Sequence, residues 1–87
     1  MSGWVYILRS SKTGRYYIGS ASDVFVRFKE HNQGKVKSTK GFLPFDLVFR
    51  QEFKLYSDAR KAEGRLKRYK RRDFLEKIIS DGVIKKP

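Results

Sequence analysis

Two side chains suited to handling a phosphate, Arg27 and His31, stand four residues apart in the stretch YIGSASDVFVRFKEH (17–31), and Val24 and Phe28 share that spacing. Residues three and four apart meet on one face of a helix. An arginine and the only histidine of the chain therefore share a helical face with apolar residues. The later stretch RKAEGRLKRYKRR (60–72) repeats the oddity with a carboxylate. Ala59, Ala62, Glu63 and Leu66 fall at i, i+3, i+4 and i+7, the inward stripe of an amphipathic helix, so Glu63 is an acid set among apolar positions. A lone carboxylate taken out of water is costly unless it meets a cation or a metal. Two readings stand side by side. Glu63 either pairs with Arg27 as a partly buried ion bridge, or holds a divalent metal at the mouth of a cleft while Arg27 faces a phosphate.

Other chemistries lack their parts. One histidine and no cysteine exclude ordinary zinc sites and disulfides, and no phosphate-binding glycine loop or dinucleotide fingerprint occurs. Nothing places a serine near His31 for nucleophilic catalysis. The charge balance points elsewhere: 21 Lys and Arg stand against nine Asp and Glu, a net charge of +12. Such an excess attracts polyanions, nucleic acid first among them. Eight of the basic residues lie between Arg60 and Arg72, and their single acidic neighbour is Glu63. Lys67, Lys70 and Arg71 in that run, with Lys35, Lys37 and Lys40 in the stretch NQGKVKSTKGFLP, make a candidate phosphate-tracking surface.

The elements that must position these residues follow from periodicity and punctuation. A length of 87 residues builds one domain, here expected over 1–82 with a basic tail at 83–87. Trp4 to Leu8 is aromatic and β-branched, a buried strand. Turn chemistry from Ser10 to Arg15 leads to a second strand at Tyr16 to Ser20, so the two form an antiparallel hairpin. Ser22 or Asp23 caps a helix that runs to about Asn32 and is stopped by Gly34. A mobile, lysine-bearing loop follows, then a third strand over Asp46 to Phe53. Ser57 and Asp58 open a second helix, which carries Tyr69 near its end, and Asp73 to Ser80 forms a third. Three strands with helices around them give an α+β fold with a small antiparallel sheet. No run approaches the roughly 20 apolar residues of a membrane span, so no membrane partner is expected. With no export signal and no cysteine, the expected location is the cytoplasm, with association with the nucleoid.

The ordered residues resemble a known family. Trp4-Val5-Tyr6, ten residues, then Tyr17-Ile18-Gly19 is similar to the paired tripeptides that name the GIY-YIG nuclease superfamily. YIGSASDVFVRFKEHNQG resembles its helix signature, with Arg27 and His31 at the signature places, and LVFRQEF followed by DARKAEGRLKR resembles the later strand and the glutamate-bearing helix. The likeness runs from Trp4 to about Ile79, and its short length resembles the small stand-alone bacterial branch. The resemblance implies metal-dependent hydrolysis of DNA phosphodiesters, structure-selective or weakly selective, in DNA repair or recombination. Carried over by position, Glu63 binds one Mg²⁺ or Mn²⁺. Tyr17 is the candidate general base and Tyr6 shapes its site. Arg27 stabilises transition-state charge, and His31 orients water, transfers a proton or holds a phosphate. Gly19 permits close backbone approach beneath the site.

Three departures bear on those roles. Trp4 stands at the name-giving glycine. Ser20 stands where some relatives carry a lysine that acidifies the tyrosine, which makes His31 a rival base to Tyr17. No asparagine follows Asn32, so Lys70 to Arg72 would replace a late phosphate contact. The partners implied are branched, single-stranded or duplex DNA, with RNA and an activating partner protein as further expectations. A non-catalytic nucleic-acid-binding domain of the same fold is the alternative. A third reading is a structural subunit that docks on an acidic partner through Phe42, Leu43 and Phe45.

Overall fold

Val5, Tyr6, Ile7 and Leu8 are each at most 1% exposed, a continuous run that only a strand covered on both faces can bury. The computed structural model, which describes residues 1–69 and 71–84, places that run at the centre of the sheet. Strands β1 (Gly3–Ser10), β2 (Tyr16–Ala21) and β3 (Phe45–Phe53) lie in the order β2-β1-β3, each neighbouring pair antiparallel. The helices are α1 (Val24–Asn32), α2 (Tyr56–Arg68) and α3 (Arg72–Asp81), with a short 3₁₀ turn at Lys40–Phe42. The α+β architecture is the one expected.

Alternation along β1 divides the core in two. Val5 and Ile7 join Ile18 and Phe49 on one face, where Ala62 and Leu66 of α2 and Leu75 and Ile78 of α3 cover them. Tyr6 and Leu8 join Ala21 and Phe45 on the other, covered by Val24 of α1. In the β1–β2 register Tyr6 pairs with Gly19, Leu8 with Tyr17 and Val5 with Ser20. Tyr6, Leu8, Tyr17 and Gly19 therefore share the α1 face of the sheet, and Ser20 lies on the α2 face.

Local chemistry sets the ends of the helices. Asp23, rather than Ser22, caps α1 by accepting from the backbone N–H groups of Phe25 and Val26 at 3.1 Å. Gly34 adopts a left-handed φ of 75° just beyond the helix end, as expected. Helix α2 begins at Tyr56 without a side-chain cap, earlier than Ser57 and Asp58 suggested. Its first N–H donates instead to the Met1 carbonyl at 2.7 Å, a long-range bond that local sequence does not signal.

The segment from Gln33 to Pro44, expected as a mobile loop, is tied to distant elements by polar side chains, two of them buried. Asn32 clamps the start of β3, accepting from the Phe45 N–H at 2.7 Å and donating to the Phe45 carbonyl at 3.0 Å. The buried Ser10 hydroxyl donates to the Phe42 carbonyl at 2.6 Å, and Thr39 is buried against His31. Phe45 is buried, and Phe42 and Leu43 are half-buried against the α1-side core. Phe45 packs beneath the segment, while Phe42 and Leu43 pack against the core and keep part of their surface exposed.

Candidate active site

His31 is fully buried, its exposure 0%. One turn back on α1 lies Arg27, so the shared face read from their spacing is present, with His31 inside and Arg27 at its solvent border. The imidazole is packed among three rings: Tyr17 at 5.0 Å between centroids, Tyr6 at 5.9 Å and Phe45 at 6.2 Å. Its Nε2 lies 3.0 Å from the Tyr6 hydroxyl and its Nδ1 2.8 Å from Thr39 Oγ1.

Those contacts fit one tautomer in particular. The Thr39 hydroxyl donates its one hydrogen to the Val36 carbonyl at 3.3 Å, so towards His31 it accepts. Nδ1 then carries the ring hydrogen, and Nε2 accepts from the Tyr6 hydroxyl. Burial first, and the nearby Arg27 charge second, lower the imidazole pKa to about 4, so the ring is neutral at pH 7. His31, expected to orient water, transfer a proton or hold a phosphate, is enclosed in this structure. Both of its nitrogens are engaged, and no part of it reaches solvent.

Burial also pushes the Tyr6 hydroxyl up to about 12, partly opposed by the hydrogen bond and charge of Arg27 and reinforced by the charges of Tyr17 and Glu63. Tyr6 therefore stays a phenol. Its ring lies across Gly19, where a methyl group would overlap the hydroxyl and approach Cζ to 2.6 Å. The glycine is required by that crossing, and the close approach it permits is made by Tyr6. Tyr17, half-buried, is the more accessible phenol of the two.

Glu63 does not meet Arg27. Arg27 pairs with Glu30, one turn along α1, at 3.2 Å between half-exposed groups, a contact worth little by itself. Burial depresses the Arg27 pKa, but the bonds to Glu30 and Tyr6 outweigh it and raise the value overall, so the guanidinium remains cationic. Glu63 lies over the α2 face, 19% exposed in its side chain. It accepts from the Ser20 hydroxyl through Oε1 and from Lys67 Nζ through Oε2, the latter at 2.7 Å. Gly19 and Ser20 are consecutive on the edge strand β2, so one short stretch of backbone carries Tyr6 on one side and the Glu63 carboxylate on the other.

Among the residues expected to track phosphate, Lys35, Lys37 and Lys40 are exposed on the pinned segment. Arg71 is exposed beside Asp73 at 3.3 Å. Lys67 is exposed, and its ammonium pairs with Glu63. Lys70 and the tail residues 85–87 lie outside the described residues. Sequence reasoning missed Thr39, which orients His31, and Glu30, which pairs with Arg27. The i, i+3 spacing of Arg27 and Glu30 was a usable signal; nothing in the glycine- and lysine-rich stretch around Thr39 was.

The fit to a divalent ion can be judged from the donor set. Among the described residues no three His, Cys, Asp or Glu side chains cluster, so a metal at Glu63 would have few protein ligands. That suits Mg²⁺ or Mn²⁺, hard ions of which Mg²⁺ in particular keeps several waters and binds through one or two carboxylates plus substrate phosphate. Among the described residues a cage-forming metal finds no cage.

Comparison with known proteins identifies the family. The profile described as the GIY-YIG catalytic domain matches residues 2–77. A UPF0213 protein of Streptococcus pneumoniae is 41% identical over 79 residues, covering 90% of this chain and 78% of that one. A UPF0213 protein of Staphylococcus epidermidis is 39% identical over 80 residues, covering 91% and 95%. The solution NMR structure of a UPF0213 protein from Bacillus halodurans superposes with a TM-score of 0.57 at 37% identity, over 92% of this chain and 84% of that one. The matched domain is a nuclease-type fold. With the signature positions Tyr6, Tyr17, Arg27, His31 and Glu63 all inside the matched span, the chain belongs to the GIY-YIG family, among the small single-domain bacterial proteins called UPF0213.

Proposed function

We propose that the protein is a divalent-metal-dependent DNA endonuclease acting on phosphodiesters of branched or otherwise distorted DNA, the substrates of repair and recombination. The observation that carries this reading is the convergence on β2. Gly19 lies beneath the Tyr6 hydroxyl, which His31 and Arg27 approach, and the adjoining Ser20 holds Glu63. A carboxylate, a fixed cation and a half-buried phenol border one strand edge, the set that phosphoryl hydrolysis needs.

Each residue then has a physical task. Arg27, cationic and half-exposed, favours negative charge that develops on the phosphorus oxygens. Tyr17, in its phenolate form, which nearby cations such as Arg27 would favour, takes the proton of the attacking water and becomes the phenol. Tyr6 cannot share that task, because its hydrogen is directed at His31 Nε2 and its pKa is pushed up to about 12. His31 is a positioning residue: with Thr39 behind it, it sets the direction of the Tyr6 hydroxyl. Glu63 would hold the Mg²⁺ or Mn²⁺, with the Ser20 hydroxyl orienting its carboxylate and Lys67 as the counter-ion to be exchanged. Such an ion, when bound, polarises the phosphate and eases departure of the leaving oxygen.

A second reading, a nucleic-acid-binding domain without catalysis, is favoured by one observation. Glu63 is already satisfied by Ser20 and Lys67. One assay separates the two. Purified protein, Glu63→Gln and Arg27→Ala are each incubated with labelled branched, duplex and single-stranded DNA in Mg²⁺, Mn²⁺ or chelator. The nuclease reading expects cleavage by the parent alone, abolished by chelator. Both variants should fall at least about 100-fold in rate while retaining most of their DNA affinity. Parental rates in either variant, or cutting in chelator, would sink this site, and binding without cutting on every substrate would favour the second reading or a nuclease that awaits its partner protein.

A further inference from the structure

Away from the strand edge, α2 and α3 enclose a cleft of about 680 Å³, in the size range of small-ligand sites. Ala62 and Leu66 form its apolar floor. Its walls are two aromatic rings left in solvent, Tyr69 at 56% exposure and Phe74 at 39%, with centroids 6.3 Å apart and planes at 66°. Arg65, Arg71 and Lys77 stand around the rim with one acid, Asp73. Among the described residues Arg65 has no ion-pair partner. Arg71 and Lys77 have only exposed ones, Asp73 at 3.3 Å and Asp81 at 3.9 Å, and such pairs yield readily to another anion.

The geometry points to an unpaired base of single-stranded DNA as the occupant of this cleft. The base lies flat against Tyr69 or Phe74, with its flanking phosphates on Arg65, Arg71 and Lys77. A flat hydrophobic ligand with anionic flanks matches an aromatic step with a cationic rim. Single-strand binding sites combine these same two features. A duplex keeps its base faces stacked inside and offers nothing to the rings. A second copy of the chain, itself at +12, would bring the same cations against these. The inference rests on the nucleic-acid reading proposed above and deepens it. Glu63 follows Ala62 on α2 but does not line this cleft, so the base-binding site and the carboxylate used by the cleavage reading are separate places on one helix.

The test compares two oligomers of equal length, one of thymidines and one of abasic sugar-phosphate, for binding to the Glu63→Gln protein, with a 2-aminopurine strand reporting stacking by fluorescence quenching. The base-bearing strand should bind about tenfold more tightly than the abasic one. Tyr69→Ala and Phe74→Ala should each remove most of that difference and of the quenching, and Tyr69→Phe should keep both. Because the rings are exposed, thermal unfolding should be little changed and separates a loss of stacking from a loss of fold. Equal affinity for the two strands, or quenching that survives in both alanine variants, overturns the inference. It leaves the endonuclease reading intact if the parent still cuts duplex or branched DNA. Failure to bind any DNA overturns both.

Discussion

The buried imidazole explains why the only histidine of the chain faces inward, and its protonation has a measurable consequence. In the unfolded chain His31 titrates near 6.5, whereas folded it titrates near about 4. Between those values the unfolded state binds more protons, so folding stability rises with pH through that window and falls as pH drops from 6.5 towards 4. The loss is at most about 3 kcal/mol. Urea unfolding at pH 7, 6, 5 and 4 should show this decline, and His31→Gln should flatten it. Ring nitrogen NMR shifts should report a hydrogen on Nδ1 and none on Nε2 at pH 7. Titration of the ring near 6.5, or a hydrogen on Nε2, would contradict the Tyr6–His31–Thr39 chain and remove the basis for His31 as a positioning residue.

At the scale of elements, what was legible followed from patterns that are local. The run Trp4 to Leu8, the capping Asp23, the stop at Gly34 and the inward stripe of α2 each obey a short-range rule, and each lies close to where the residues alone put it. The Arg27 and His31 face was legible for the same reason. The Glu63 partner was not: a helical stripe says that a residue faces inward but not which side of the sheet its helix covers. Glu63 and Arg27 fall over opposite faces, and the ion bridge between them gives way to Lys67 and Ser20. The pinned segment was illegible because glycine and lysine composition describes solvent affinity, while its order depends on Asn32, Ser10 and Thr39 reaching partners on distant elements. The Asn32 clamp can be weighed directly. Asn32→Ala leaves both backbone groups of Phe45 without their partner, at a cost of about 2 kcal/mol, which for a domain of this size lowers Tm by about 10 °C. Amide exchange at Phe45 should quicken with it. An unchanged Tm would mean that water replaces the clamp and that the segment is held by Thr39 and Ser10 alone.

For the molecule as a whole, charge and size set different limits on binding to DNA. The body measures 34 × 30 × 19 Å, so its longest dimension spans about one turn of duplex, or about 20 phosphates on both strands. About half of these face the protein. The 21 Lys and Arg therefore outnumber the phosphates within reach, and geometry rather than charge count limits the contacts. Duplex affinity plotted as log K against log salt should have a slope no steeper than about −9. Lys35, Lys37 and Lys40 are the cations expected to matter for cleavage. They are exposed on the segment whose Thr39 backs His31, which places them beside the face that carries Tyr17 and Arg27. Replacing all three with Gln should make the slope shallower by about 2.7, at about 0.9 for each phosphate no longer neutralised, and should slow cleavage at moderate salt more than at low salt. A triple variant with an unaltered slope would move the duplex footprint to the outer face of α2, where Arg60, Lys61 and Arg68 are exposed, and would separate where this protein holds duplex DNA from where it is proposed to cut it.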